Sequence, residues 1–363
     1  MGKSSIGGKY EGIRRILATG PYRNFVRYSG NPICPITQSW EQWNSIGAQE
    51  DPKILVVGNT RYMFSCAMIE EAGVVSPFGD LAINIGVRTQ ALTDPPQTWT
   101  PYAGNPIILH GTSGTWNYPF IASPNVIPMP DGSFRMYMHG YGYMNGMWAD
   151  RIGIYFCSAA NFPGGPWVEH PGNPVLDVGP NGSWDYLQLQ IHVVIPPFPV
   201  NPHVSYSSDG LWHMVYGGTA GSNFWAGGHA TSPDGLTWTK DSLNPVWLPD
   251  GSGGWDSGGV LPLGPSLLIN GIHHIMFQSP GTNGSWRIGV AGTADFRTFV
   301  PSPLNPIYVP GPSGARDSGS VEGPGLSLNA AAGTLDLFTC CSTAPNSAEY
   351  VICTARSTFP PFA

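Results

Sequence analysis

The stretch Gly172–Pro197, GNPVLDVGPNGSWDYLQLQIHVVIPP, decides how the whole chain is read, because its parts recur along the sequence. Its Asn-Pro dipeptide is found five times, as SGNPI at Asn31, AGNPI at Asn105, PGNPV at Asn173, SLNPV at Asn244 and PLNPI at Asn305. The spacings are 74, 68, 71 and 61 residues. A period longer than a hairpin and shorter than a domain marks a repeat architecture. Beyond a Gly/Ser/Pro-rich stretch, each dipeptide is followed by Trp43-Asn44, Trp116-Asn117, Trp184-Asp185, Trp255-Asp256 or Arg316-Asp317. An apolar strand, a turn such as Pro130-Asp131-Gly132 or Asn270-Gly271, and a second, aromatic-rich strand come next. Such turns need a positive φ, which Gly and Asn tolerate best.

Third strands follow in AINIGVRTQ, IGIYFCSAA, GGHATSPDG, RIGVAGTAD and YVICTARST, and a fourth carries Trp99, Trp167, Trp238 or Phe299 just before the next Asn-Pro. The pattern predicts an all-β fold: a five-bladed β-propeller with four-stranded antiparallel blades, one domain over residues 1–363. The last repeat ends after its third strand, while NFVRYS precedes the first Asn-Pro without a blade of its own. Residues 24–33 are therefore expected to supply the missing outer strand of the last blade and to close the ring, so that no open edge remains. Residues 1–23 are read as an N-terminal arm.

Composition narrows the function. Gly 48 and Pro 37 are high, but they fall at turn positions in every repeat. Only 11% of residues are charged, and the formal net charge is −7. With no basic run longer than Arg14-Arg15, this argues against a nucleic-acid partner. No apolar run approaches the roughly 18 residues a membrane span needs. The opening MGKSSIGGKYEGIRRILATG lacks the apolar core of a secretory signal. Low charge with abundant Gly, Pro and Trp leans towards an extracellular or virion-surface setting, and oligomer contacts through flat faces are compatible with the fold.

Cysteines 34, 66, 157, 340, 341 and 353 match no zinc spacing. They are read as buried thiols that pack as small hydrophobes, with a cross-strand pairing of Cys353 to Cys340 or Cys341 as the alternative. No oxygen-ligand motif demands a metal, so no cofactor is expected; a Ca²⁺ in the central channel would be compatible with the architecture.

Polar groups on inner strands meet at the central funnel and are the first site candidates. They are Gln49, Glu50 and Asp51, then Ser123 and Asn125, then Gln188, Gln190 and His192 on one strand face, and finally Asp317 and Glu322. Asp51 and Glu322 break the repeat, and ring closure would make their strands neighbours. Two facing carboxylates are what glycosidic cleavage requires, one protonated to donate to the leaving oxygen and one ionised to activate water or attack the anomeric carbon. Asp185, Asp256 and Asp317 recur at one repeat position and read as anchors. Glu50 adjoins Asp51 but is expected to point the other way. His273-His274 reads as packing and surface. Trp148, Trp225 and Trp286 do not recur and are placed in strand 2–3 loops on the funnel face, where a ring can stack on a sugar.

The repeat with its WDSGG and Asn-Pro signatures, together with Asp51-Pro52 and Glu322-Gly323-Pro324, resembles the five-bladed propeller glycoside hydrolases, family 43 and its relatives. The resemblance implies Asp51 as base or nucleophile, Glu322 as acid and a carbohydrate partner. His192, Gln190 and Gln188, with the three tryptophans, would bind substrate. Family 43 places its acid on an earlier blade and has a third carboxylate with no clear counterpart here. A non-catalytic glycan-binding or virion-surface propeller is the alternative.

Overall fold

The computed structural model describes residues 3–43, 46–74, 76–201, 203–221, 224–249, 254–281, 284–345 and 349–360; Asn44 of the first Trp-Asn pair lies outside them. The arm expected over residues 1–23 contains an α-helix, α1 (Lys3–Thr19), which a strand-period reading does not register. Ile13 and Leu17 are four apart, on one helix face, and both are buried. They lie over Gly292, where a β-carbon would come within 2.7 Å of Ile13. Below the helix, the buried Tyr22 hydroxyl bonds His274 Nδ1 at 3.0 Å. His273 and His274 are both buried, so neither is a surface residue.

The rest is strand. β1 (Val26–Arg27) is followed by a two-residue ribbon of β2 (Gln42–Trp43) and β3 (Ile46–Gly47). An antiparallel meander comes next, formed by β4 (Gln49–Val57), β5 (Thr60–Glu70), β6 (Leu81–Ala91) and β7 (Thr100–Pro101). The next is β8 (Pro119–Pro128), β9 (Phe134–Met144), β10 (Met147–Cys157) and β11 (Val168–Glu169). β12 (Gln188–Ile195), β13 (Trp212–Thr219), β14 (Ala226–Ser232) and β15 (Thr239–Lys240) repeat the pattern. So do β16 (Leu261–Ile269), β17 (Ile272–Pro280), β18 (Trp286–Thr293) and β19 (Val300–Pro301). In the last meander, β20 (Ser320–Asn329), β21 (Thr334–Ser342) and β22 (Val351–Thr358) are joined by β1, which pairs Val26 with Arg356 and Arg27 with Ala355.

The Asn-Pro repeat is structural. Each Asn side chain acts as a short extra strand against the third strand of its meander, its Oδ1 accepting a backbone N–H and its Nδ2 donating to the carbonyl of the same residue. Asn105 holds Val87, Asn173 holds Ile154, Asn244 holds His229, Asn305 holds Val290 and Asn31 holds Thr354, all at 2.8–3.0 Å. The recurring Asn/Asp after Trp or Arg is an anchor too. Asn117 donates to Tyr155 Oη at 2.8 Å, while Asp185 and Asp317 accept from the hydroxyls of Tyr216 and Tyr308.

Cysteine pairing departs from the all-thiol reading. Cys341 on β21 and Cys353 on β22 form a disulfide, whereas Cys34, Cys66, Cys157 and Cys340 are free and buried. Adjacent antiparallel strands bring the pair within reach, which linear spacing does not display. No helix among the described residues is long and apolar enough to cross a membrane.

Candidate functional site

The first strands of the meanders share one irregularity that builds the site. Register slips between Glu50 and Lys53, Ala122 and Asn125, Gln190 and His192, Leu263 and Leu267, and Glu322 and Gly325. Asp51, Ser123, Ile191 and Gly323 sit in these slips with φ of 50–57°. A bulge breaks the two-residue alternation and re-aims side chains. Consecutive residues can then face the same space, so Glu50 lines a common pocket beside Asp51 rather than pointing away from it.

That pocket has a volume of about 270 Å³. It brings together Asp51, Glu322, Gln188, Gln190, Trp225 and Trp286 of the expected site, and adds Glu50, Asp150, His139 and Gln278. His192 is not among its lining residues. The bulge at Ile191 puts the isoleucine there instead, and His192 is 1% exposed with its ring edge-on to Tyr137. Burial lowers the His192 imidazole to about 3. Trp148 does not line the pocket either. It lies on β10, not in a loop, and stacks on Tyr141, which does line it. Trp225 directly precedes β14 and Trp286 opens β18. Gln49 is fully buried outside the pocket, and Asn125 lines a separate, largely apolar cavity beyond the bulges.

Each carboxylate is held by its own partners. Ser123 Oγ donates to Asp51 Oδ2. Glu322 Oε1 accepts from Ser320 Oγ at 2.7 Å, and Ser320 Oγ accepts the Trp286 backbone N–H at 3.1 Å, so the acid and the aromatic wall share one anchor. The Tyr350 hydroxyl also bonds Glu322. Asp150 Oδ2 accepts from Gln188 Nε2 at 3.0 Å and from Gln190 Nε2 at 2.9 Å. Gln278 Oε1 takes the Gly323 N–H at 2.7 Å.

Burial dominates the electrostatics. It raises Glu322 to about 7, with the Asp51 charge adding to the rise and the Ser320 and Tyr350 hydrogen bonds opposing it. It raises Asp150 to about 7 against the two glutamine bonds. Glu50 is pushed well above the carboxylate range by burial and by the charges of Asp51 and Glu322. Burial lowers His139 to about 4, so its ring is neutral near pH 7. A carboxyl kept protonated by burial can donate a proton near neutral pH. Among the described residues, no set of three or more His, Cys, Asp or Glu side chains is arranged to hold a metal ion.

Asp150 was legible only through the repeat. Parallel bridges Ile83↔Phe120, Asp150↔Gln188, Trp225↔Gly259 and Ala48↔Tyr350 mark where third strands meet neighbouring meanders. A carboxylate among Ile, Trp and Tyr at that place is the signal, and a search confined to first strands does not see it.

No family model matches the sequence, and no curated protein matches it. Solved structures do resemble it. One, described as showing that the GH130 family of mannoside phosphorylases contains glycoside hydrolases targeting β-1,2-mannosidic linkages in Candida mannan, superimposes with a TM-score of 0.68 at 15% identity, over 93% of this chain and 97% of that one. A putative glycoside hydrolase from Parabacteroides distasonis gives 0.68 at 14% identity, over 94% and 98%. β-1,2-Mannobiose phosphorylase from Listeria innocua gives 0.62 at 12%, over 92% and 97%. At such identities the likeness establishes the fold. One of these names prints a family, GH130, and none prints family 43.

Proposed function

We propose that the protein is a glycoside hydrolase whose meanders are the blades of a five-bladed propeller and whose pocket cleaves a glycan. The observation that carries this is the gathering of Asp51, Glu322, Asp150 and Glu50 in one pocket also lined by Trp225 and Trp286, with Glu322 and Asp150 raised to about 7. Glu322, held by Ser320 and Tyr350, gives its proton to the leaving oxygen. Asp51, fixed by Ser123, activates water or attacks the anomeric carbon. Asp150 is the third carboxylate and, with Gln188 and Gln190, positions the sugar. The named neighbours act on glycans, which agrees with the reading and does not carry it.

The test is turnover of aryl glycosides and oligosaccharides by Asp51→Asn and Glu322→Gln proteins. Loss of turnover with glycan binding retained is the expected result. Full activity in both variants would remove the assignment.

A further inference from the structure

The pocket has a closed floor. The bulge layer separates it from the second cavity so tightly that a β-carbon on Gly325 would lie 2.1 Å from the Pro52 carbonyl oxygen, and one on Gly264 2.5 Å from Asn125 Nδ2. A chain entering the pocket must therefore leave by the mouth it entered. One wall continues outward from that mouth as a row of rings. Phe78 stacks on Phe120 at 5.7 Å, Phe120 on Tyr141 at 5.7 Å and Tyr141 on Trp148 at 5.3 Å, and Tyr143 tilts against Trp148 at 5.6 Å. The row crosses from β8 through β9 to β10, and Trp148 faces Tyr143 directly across the ladder.

A packing cluster would bury its ends. Here Phe78 is 59% exposed and Tyr143 is 47% exposed, while the rings between them are held by their neighbours. Rings fixed in this way lose little freedom on contact, which makes them efficient binding surfaces.

We infer that Trp148 and Tyr143, which continue the row beyond the pocket-lining Phe78 and Tyr141, form outer binding positions for successive sugar units of a glycan whose terminal unit occupies the pocket. Resting on the glycan reading above, this makes the substrate an oligo- or polysaccharide trimmed from its end rather than a disaccharide. Neutral sugars with a continuous C–H face suit such rings, and the closed floor forbids a chain threading through.

The experiment is calorimetric titration of Glu322→Gln protein, in which turnover is suppressed, with manno-, arabino- and xylo-oligosaccharides of one to six units. Affinity should rise with length for one of the series. Tyr143→Ala and Trp148→Ala in the same background should lose on the order of tenfold with the longer members only. Tyr143 is exposed, so its variant keeps the fold even if Trp148→Ala weakens it; melting temperature checks both. Affinity independent of length, or an equal loss at every length, overturns the outer positions while leaving the pocket reading intact. Binding of no glycan in any series overturns both readings, and that result is distinguished by the absence of single-unit binding.

Discussion

Gly323 abuts Asp51. A β-carbon at Gly323 would lie 2.6 Å from Asp51 Oδ1 and 3.0 Å from Asp51 Cα, and Lys53 Nζ completes the seam by donating to the Pro324 carbonyl at 3.1 Å. The two short motifs quoted from opposite ends of the sequence, Asp51-Pro52 and Glu322-Gly323-Pro324, are thus packed backbone to backbone. The positive φ of Gly323 and the absent side chain are both required for this approach.

Gly323→Ala is consequently expected to displace Asp51. The variant should lose activity by a factor on the order of 100, as misplacement of a reacting group does, and should melt several degrees lower. A rate assay with a thermal melt checks this; unchanged activity would mean that the Asp51 carboxylate is not the reacting group.

Stability should fall as pH rises through the neutral range. Glu322 and Asp150 have ordinary values of 4.5 and 3.8 and are raised to about 7 in the folded protein. Between about pH 4 and 7 the folded state therefore binds more protons than the unfolded chain, and its stability declines until both groups have ionised. Asp150→Asn should flatten that decline and raise stability at pH 8 by about 1–3 kcal/mol, which urea denaturation at pH 5 and pH 8 will measure.

The same protonation should shape turnover. With Glu322 as acid, activity is expected to fall above about pH 7 as that carboxyl ionises. Ser320→Ala removes a hydrogen bond that favours the ionised form, so it should move the alkaline limb to higher pH. A kcat/KM profile from pH 4 to 9 decides the point, and a limb that stays in place in the variant would detach Glu322 from the acid role.

Asn305→Ala tests the repeat itself. It would strip the Val290 N–H of its partner in a buried site, at about 1–3 kcal/mol, while the Val290 carbonyl keeps the Ser302 N–H at 2.9 Å. Asn305→Asp should give no rescue, because a carboxylate meets the Val290 carbonyl without a donor. Chemical denaturation reads both.

The repeating elements were legible because each repeat states its own local chemistry. Asn31, Asn105, Asn173, Asn244 and Asn305 make equivalent bonds, and the turn glycines and alternating apolar strands need nothing distant to be recognised. The carboxylates Asp51 and Glu322 stood out because they depart from that repetition. What misled the reading was the assumption of unbroken alternation. Gln188, Gln190 and His192 share a face only on a regular strand, and the bulge at Ile191 removes His192 from the set while Asp51's own bulge admits Glu50.

The sequence by itself determined the strand-rich repeating unit, its Asn-Pro stitch and the candidate acids, since these depend on local propensity and on side chains bonding to nearby backbone. Only the tertiary structure decided which polar groups meet. Asp150 reaches Gln188 and Gln190, 38 and 40 residues away, Glu322 shares space with Glu50 and Asp51 from the far end of the chain, and Cys341 finds Cys353 across a strand pair. The physical reason is that a one-residue bulge inverts the direction of every side chain after it, at little local cost and with no distinctive residue to announce it.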